Sequence, residues 1–177
     1  TVSETSVAPC IRLENGWSSF EDAMSKKSAK STRYLVKKLF RDYAGEYKVF
    51  KNSEDLVKPM MQFMDLHQKR MHQKNQRGHF GEENVRSEFI ALVQKLANKG
   101  YASVHAIGSE KEVIASLCTL NYRGTVSFYQ GGFDTDYTNL SPGIVMQCLR
   151  INDAIEEGAM EYDFLDGDEP YKKKWAN

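Results

Sequence analysis

Hydrophobic and polar positions change period about halfway along the chain. In the first half the apolar residues recur at helical spacing. From Thr32 to Tyr43, Tyr34, Leu35, Leu39 and Phe40 fall on one stripe, with Lys37, Lys38 and Arg41 opposite, the pattern of an amphipathic, basic helix. Upstream, "WSSFEDAMS" offers Ser18 or Ser19 as a cap with Glu21 and Asp22 in the first turn. After the short alternating stretch "GEYKVFKN", Ser53 with Glu54 and Asp55 opens a helix that carries Leu56, Met60, Phe63, Met64 and Leu66 inward to about Met71. Residues 72–82, "HQKNQRGHFGE", have little apolar content and two glycines and read as a mobile loop. A helix from Glu83 to Asn98 follows, with Val85, Phe89, Leu92, Val93 and Leu96 inward and a Lys99-Gly100 stop.

The period then becomes two. "YASVHAIG", "EVIASLCTLN" and "TVSFYQGGF" are strand-length runs separated by "SEK" and "NYRG", and such spacing predicts an antiparallel meander. "DTDYTNLSPG" leads into a helix from Gly143 to Glu157 that buries Ile144, Cys148, Ile151 and Ile155 and stops at Gly158. "MEYDFLD" is a closing strand, and "CIRL" near the start a β-leaning lead-in. Helices followed by β-β-β-α-β predict an α/β fold with a mixed sheet.

Composition narrows the picture only a little. A length of 177 residues suits one domain with its own core. Lys plus Arg and Asp plus Glu are balanced at 24 each, so overall charge selects neither a nucleic acid nor a membrane. The distribution is uneven: residues 26–77 are basic and residues 128–169 acidic. Two halves solvating their own faces would give that pattern, and so would a phosphate-bearing ligand on the basic side. Cys10, Cys118 and Cys148 are odd in number and widely spaced, the mark of free thiols in a reducing compartment. No apolar run is long enough to span a bilayer and no signal-peptide pattern opens the chain, so a cytoplasmic protein is expected. The chain begins at Thr1 without an initiator Met and stops shortly after Trp175. It reads as a single domain, residues 1–177, and as a piece of something longer.

Chemistry-bearing motifs are few. "SPG" at 141–143 opens a helix, where free N–H groups and the helix dipole attract anions; an ordinary proline-initiated helix looks the same. "GGFD" at 131–134 suggests a bulge or a close ligand approach, or simply a strand end. His67, His72 and His79 lack metal-ligand spacing, so no metal is expected, although His67 could move protons in a pocket. "DFLDGDEPYK" places Asp163, Asp166, Asp168, Glu169 and Tyr171 just past a strand end, where α/β folds often meet ligands. Walker, dinucleotide and nucleophile-elbow motifs are absent from the sequence.

Taken in order, "MSKKSAKSTRYLVKKLFRD", "FMDLHQKRM", "GHF", "VIASLCTL", "SFYQGGFDTDYTNLSPGIVM" and "YDFLDGDEPYKKKW" resemble the GNAT-fold acetyltransferases of the CelD-like group. That group is associated with bacterial cellulose biosynthesis and related to the Fem-type aminoacyltransferases. The resemblance spans about residues 17–175 and implies a mostly antiparallel mixed sheet flanked by helices. It implies an acyl group moved from acyl-CoA, acetyl-CoA above all, to a small-molecule amine such as an amino sugar or a cell-envelope precursor. Gln130, Gly131, Gly132 and Phe133 would border the thioester, and Ser141, Pro142, Gly143, Ile144 and Val145 the pyrophosphate. Asp134, Asp166 and Tyr171 would handle protons, with His67 in reserve. The chain departs from the family in its phosphate turn, where "NLSPG" carries one glycine in place of a Q/R-x-x-G-x-G/A loop. That departure leaves open a tRNA-borne aminoacyl donor, for which the basic helix would serve, or a non-catalytic binding domain. The resemblance further implies that the chain is the C-terminal half of a longer two-half protein and lacks its last strands, with a second GNAT-like half or a homodimer as the protein partner.

Overall fold

The computed structural model describes residues 8–14, 16–109, 111–167, 172 and 175. Six strands form one sheet in the order β1-β6-β5-β4-β3-β2. Their ranges are β1 Cys10–Arg12, β2 Glu46–Phe50, β3 Ala102–Gly108, β4 Val113–Tyr122, β5 Thr125–Phe133 and β6 Glu161–Asp163. Neighbours pair antiparallel from β2 through β5 and between β1 and β6, while β5 and β6 run parallel. The sheet is thus mixed and mostly antiparallel, as the alternating pattern leads one to expect.

Four helices cover it: α1 Lys26–Asp42, α2 Val57–Gln73, α3 Glu83–Ala97 and α4 Pro142–Glu156. Leu56, Met60, Phe63 and Met64 at the head of and along α2 pack with Val93 of α3 onto Ala102, Val104 and Cys118. Leu39 of α1 and Val145 and Met146 of α4 pack onto Ile107 and Leu117. Val104 and Ile107 lie three apart on β3, and Leu117 and Cys118 are adjacent on β4, so strand alternation sends one of each pair to either face. A third cluster joins Ile11, Phe20, Cys148, Ile151, Tyr162 and Trp175. Trp175 meets Phe20 edge to face with centroids 6.1 Å apart.

Several elements differ from expectation. Helix α1 begins at Lys26, six residues earlier than the apolar stripe suggests, because the Ser25 side chain accepts from the Ser28 N–H and caps the lysine-rich turn. Its buried positions are Ala29, Thr32 and Leu39; Tyr34 is exposed. Leu92 of α3 is likewise exposed. Ser53–Asp55 form a separate 3₁₀ turn before α2, and "DTDYTNL" holds a 3₁₀ turn over Thr135–Leu140. Residues 74–82 are fastened rather than loose. Gln68 Nε2 donates to the Arg77 carbonyl at 2.6 Å, its Oε1 accepts from the Phe80 N–H at 3.3 Å, and Phe80 is buried in the core.

The C-terminal half of α4 is tied to the sheet by a buried polar chain. Arg150, fully buried, donates from Nε to Thr119 Oγ1 at 3.4 Å and from Nη2 to Asn121 and Glu157 at 3.2 and 2.9 Å. Thr119 Oγ1 lies 3.0 Å from Ser103 Oγ, which lies 2.8 Å from His105 Nε2. His105 Nδ1 lies 2.8 Å from the Tyr47 hydroxyl, which donates to Asp153. Counting hydrogens fixes the directions. Tyr47 spends its only one on Asp153, so Nδ1 of His105 carries a proton and Nε2 accepts from Ser103, which leaves Thr119 donating to Ser103. Burial lowers the pKa of His105 to about 4, which matches the neutral ring this chain requires.

Candidate functional site

The site arises where β5 outruns β6. The two strands pair only over Thr125–Ser127 with Glu161–Asp163, while β5 continues to Phe133. From residue 128 onward β5 has no strand neighbour on its β6 side among the described residues. On its other side the register with β4 shifts between Cys118–Gln130 and Thr119–Phe128, so Tyr129 is the extra residue of a β-bulge. Bulges bend a strand and re-aim its side chains. Helix α4 begins beside the open end of β5, and between them lies a cavity of about 250 Å³.

Close approach explains the glycines around this cavity. A Cβ on Gly132 would stand 2.4 Å from the main-chain nitrogen of His67, so α2 packs its backbone directly on β5. A Cβ on Gly143 would stand 3.1 Å from the Phe133 ring. Ser141 adopts the left-handed conformation, φ 51° and ψ 47°, at the N-cap of α4 without a side-chain capping bond. Its carbonyl already accepts from the Ile144 and Val145 N–H groups at 3.0 and 3.1 Å, and Pro142 has no N–H. Gly143 is left with the unused donor of this turn.

Of the residues expected to border a donor, Gly131, Gly132, Phe133, Ser141, Pro142, Gly143 and Ile144 line the cavity. Gln130 and Val145 do not line it; Val145 is fully buried in the core. Asp134 caps the Thr135–Leu140 turn by accepting from the Asp136 N–H and pairs with Lys69 at 2.6 Å. Burial pushes its carboxyl up, but the Lys69 and Asp136 hydrogen bonds outweigh it and hold the pKa below the usual range. It therefore stands as an ionised link between α2 and the turn. His67 is buried on α2, stacked on His79 and edge to face with Phe80. Burial first, then the neighbouring His79, bring its pKa down to about 4, and its Nδ1 has no hydrogen-bond partner. Asp166 is exposed just past β6, its carbonyl accepting from Lys172 Nζ at 2.7 Å. Tyr171, Asp168 and Glu169 lie outside the described residues.

The three thiols are unsuited to attack. Burial raises Cys118 to about 12 and raises Cys148 too, and burial with Glu161 and Asp163 nearby raises Cys10; a nucleophilic cysteine needs the opposite shift. Residues that sequence reasoning missed include Ser116, Phe128, Thr138, Gln147 and Arg70, all on the cavity wall. Gln147 is held in place by the Tyr162 hydroxyl, which donates to its Oε1 at 2.7 Å. Arg70 lies one turn beyond His67 on α2, in a basic segment where no local signal marks it out.

A helix-flanked mixed sheet that opens beside a bulged strand, with a helix N-terminus at the mouth of the opening, defines an α/β fold of the acyltransferase type. The family model described as an acetyltransferase (GNAT) domain matches residues 26–173, and the chain belongs to that family. Among solved structures, FemX superposes with a TM-score of 0.74 at 11% identity, covering 98% of this chain and 60% of FemX. The C-terminal domain of a putative lysylphosphatidylglycerol synthetase from Agrobacterium fabrum gives 0.62 at 10% identity, covering 94% and 48%. An aminoglycoside acetyltransferase from an uncultured soil metagenomic sample, solved with sisomicin, gives 0.50 at 18% identity, covering 72% and 80%. At these identities the likeness is one of fold. The chain spans less than two thirds of each of the first two structures. No curated protein matches it significantly. Among the described residues no helix is long and apolar enough to cross a membrane.

Proposed function

We propose that the chain is an N-acyltransferase that moves an acyl group, acetyl in the simplest case, from acyl-CoA to the amine of a small acceptor such as an amino sugar or a cell-envelope precursor. The observation that carries this reading is the cavity at the β5–β6 opening, lined by Gly131–Phe133 on one side and Ser141–Ile144 on the other. A thioester carbonyl laid along β5 beyond Ser127 meets main-chain groups that no strand occupies. An N–H there stabilises the negative charge that develops as the amine attacks. A C–N bond forms, the C–S bond breaks, and the sulfur leaves with its electron pair. No cysteine is among the described residues that line the cavity, so transfer is direct, without an acylated cysteine. The amine loses a proton to Asp166 and the sulfur gains one from Tyr171; this assignment rests on the family resemblance and on the exposure of Asp166 past β6. Asp134, tied to Lys69, has a structural part, and neutral His67 backs the wall that Gly132 completes.

The test is acyl transfer from acetyl-CoA to a panel of amines, followed as free thiol release. Asp166→Asn and Tyr171→Phe are each expected to lower turnover about 100-fold; wild-type rates in both would refute the two assignments, and no turnover with any amine would refute the enzyme. A second reading, an aminoacyl-tRNA donor, is favoured by α1. Its Lys26, Lys27, Lys30 and Lys37 are exposed, and Lys38 reaches the Asn139 carbonyl at 2.8 Å, close to the Ser141 turn. A ligand of the native state raises the melting temperature, so a shift with bulk tRNA and none with acetyl-CoA would select it.

A further inference from the structure

The N-terminus of α4 is poorly furnished for a pyrophosphate. Pro142 lacks an N–H, Ile144 and Val145 spend theirs on the Ser141 carbonyl, and the Ser141 N–H goes to Thr138. One donor, on Gly143, is a thin basis for holding a group with two negative charges or more. The cavity wall supplies what the turn lacks. Of the residues lining it, Arg70 is the one that carries charge. Its guanidinium lies over the Phe133 ring, 4.8 Å from the centroid, and a Cβ on Gly143 would meet the same ring at 3.1 Å. Arginine and glycine thus approach one aromatic plate from two directions.

Most of the neighbouring cations are paired, and of Arg70 and Lys74, which have no ion pair among the described residues, Arg70 is the one that lines the cavity. Lys69 is held by Asp134 and Asp136, Arg77 by Glu82 and Arg86 by Asp65. Lys38, on the α1 side, is engaged by the Asn139 carbonyl. Arg70 has no ion pair among the described residues. Contact with the Phe133 ring restrains the guanidinium without using its N–H groups, which leaves them for bidentate contact with a phosphate. The packing of α2 explains why it stands there. Gly132 lets the α2 backbone press onto β5 at His67, and Arg70 is one turn further along the same helix face.

We propose that Arg70 is the oxyanion-binding residue of the cleft, gripping a donor phosphate together with the Gly143 N–H in place of a glycine-rich loop. This deepens the acyl-CoA reading and rests on it. A cavity of 250 Å³ is smaller than most whole-ligand pockets, so it takes the reactive arm of the donor while the nucleotide lies outside, and the phosphates fall at the mouth where Arg70 stands.

The experiment is calorimetric titration of the full 177-residue chain, wild type, Arg70→Met and Arg70→Lys. The probes are acetyl-CoA, phosphate-free S-acetylpantetheine, inorganic pyrophosphate and a uridine diphosphate sugar. Arg70→Met should weaken acetyl-CoA tenfold or more and abolish pyrophosphate competition, while S-acetylpantetheine binds both proteins within twofold. Arg70→Lys should recover part of the loss, since it keeps the charge and loses the fork. Equal loss of acetyl-CoA and S-acetylpantetheine would mean that Arg70 merely shapes the wall, and overturns the proposal. Unchanged acetyl-CoA affinity in Arg70→Met overturns it as well, as does a nucleotide sugar that alone depends on Arg70, because the anion would then belong to the acceptor. A wild type that binds pyrophosphate through Arg70 but not acetyl-CoA would sink the donor reading and leave Arg70 as an anion site. A wild type that binds neither would end both.

Discussion

The two ends of α4 meet opposite demands. Toward its C-terminus, Arg150 and Asp153 enter a buried chain in which Thr119, Ser103, His105 and Tyr47 each give one hydrogen to the next. At its N-terminus, Ser141 is held left-handed, one N–H is unused, and an arginine stands against an aromatic ring with no carboxylate among the described residues. Polar groups buried at the first end would cost dearly if left unpaired. Those at the second face a cavity where a ligand can pair them. The helix is fixed at one end so that the other can be kept open.

Removing one member of the buried chain should be the most damaging way to probe this contrast. Arg150→Met keeps most of the volume but strands the Asn121 and Thr119 acceptors; Glu157 retains Lys51 at 2.8 Å, which softens the loss. A destabilisation of about 2–3 kcal/mol is expected in urea unfolding. Arg70→Met, at the open end, should change the same midpoint by less than about 0.5 kcal/mol. Similar losses for the two arginines would erase the distinction drawn between the ends.

Acid should sharpen it further. The pKa values of His67 and His105 are both brought down to about 4 in the folded chain, chiefly by burial, against about 6.5 when unfolded. Between those values the unfolded chain takes up protons that the native one refuses, so stability falls as pH drops from about 6.5 toward 4. The slope is about 1.4 kcal/mol per pH unit for each histidine. Carboxylates with lowered values, such as Asp153, whose burial is outweighed by its His105 and Tyr47 hydrogen bonds, add their own loss only at lower pH. Urea midpoints taken from pH 7 to 5 therefore isolate the histidines. His105→Gln and His67→Gln should each remove about half of that slope; a variant that leaves it intact would show its ring already protonated or solvated in the native state.

How much of this is legible in the sequence depends on distance along the chain. The meander and the inward face of α2 follow from local periodicity, and the residues that announced them, such as Val104, Leu117, Met60 and Phe63, are buried as expected. Phe80 is a lone apolar residue in a polar stretch; its burial depends on Gln68, twelve residues away. Strands β1 and β6 are three residues each, too short for a period, and their pairing joins chain positions some 150 apart. At the site, the glycines and the Ser-Pro-Gly turn are visible because they are unusual locally. Arg70 is not, since an arginine in a basic segment is distinguished only by which of its neighbours find carboxylates in space. The pairing of Asp134 with Lys69 is hidden for the same reason, since nothing local reveals it.

The smallest effect concerns strain at the open end. A left-handed conformation costs a non-glycine residue roughly 1–2 kcal/mol, and Ser141 gains no side-chain cap in return. Ser141→Gly removes that cost but enlarges the freedom of the unfolded chain, which gives back roughly 0.5–1 kcal/mol. A net stabilisation of about 0.5 kcal/mol should remain, with Ser141→Ala near neutral because alanine keeps the strain. Thermal melts of the three proteins would show the order glycine above serine, with serine and alanine together. A glycine variant that melts below wild type would mean that the hydroxyl contributes to holding the turn, and the open end would then be less strained than its backbone implies. If the expected order holds, the chain tolerates a backbone cost at the cavity mouth while its buried end, apart from Arg150 Nη1, pairs its polar groups within the fold, which is how stability and function divide along one helix.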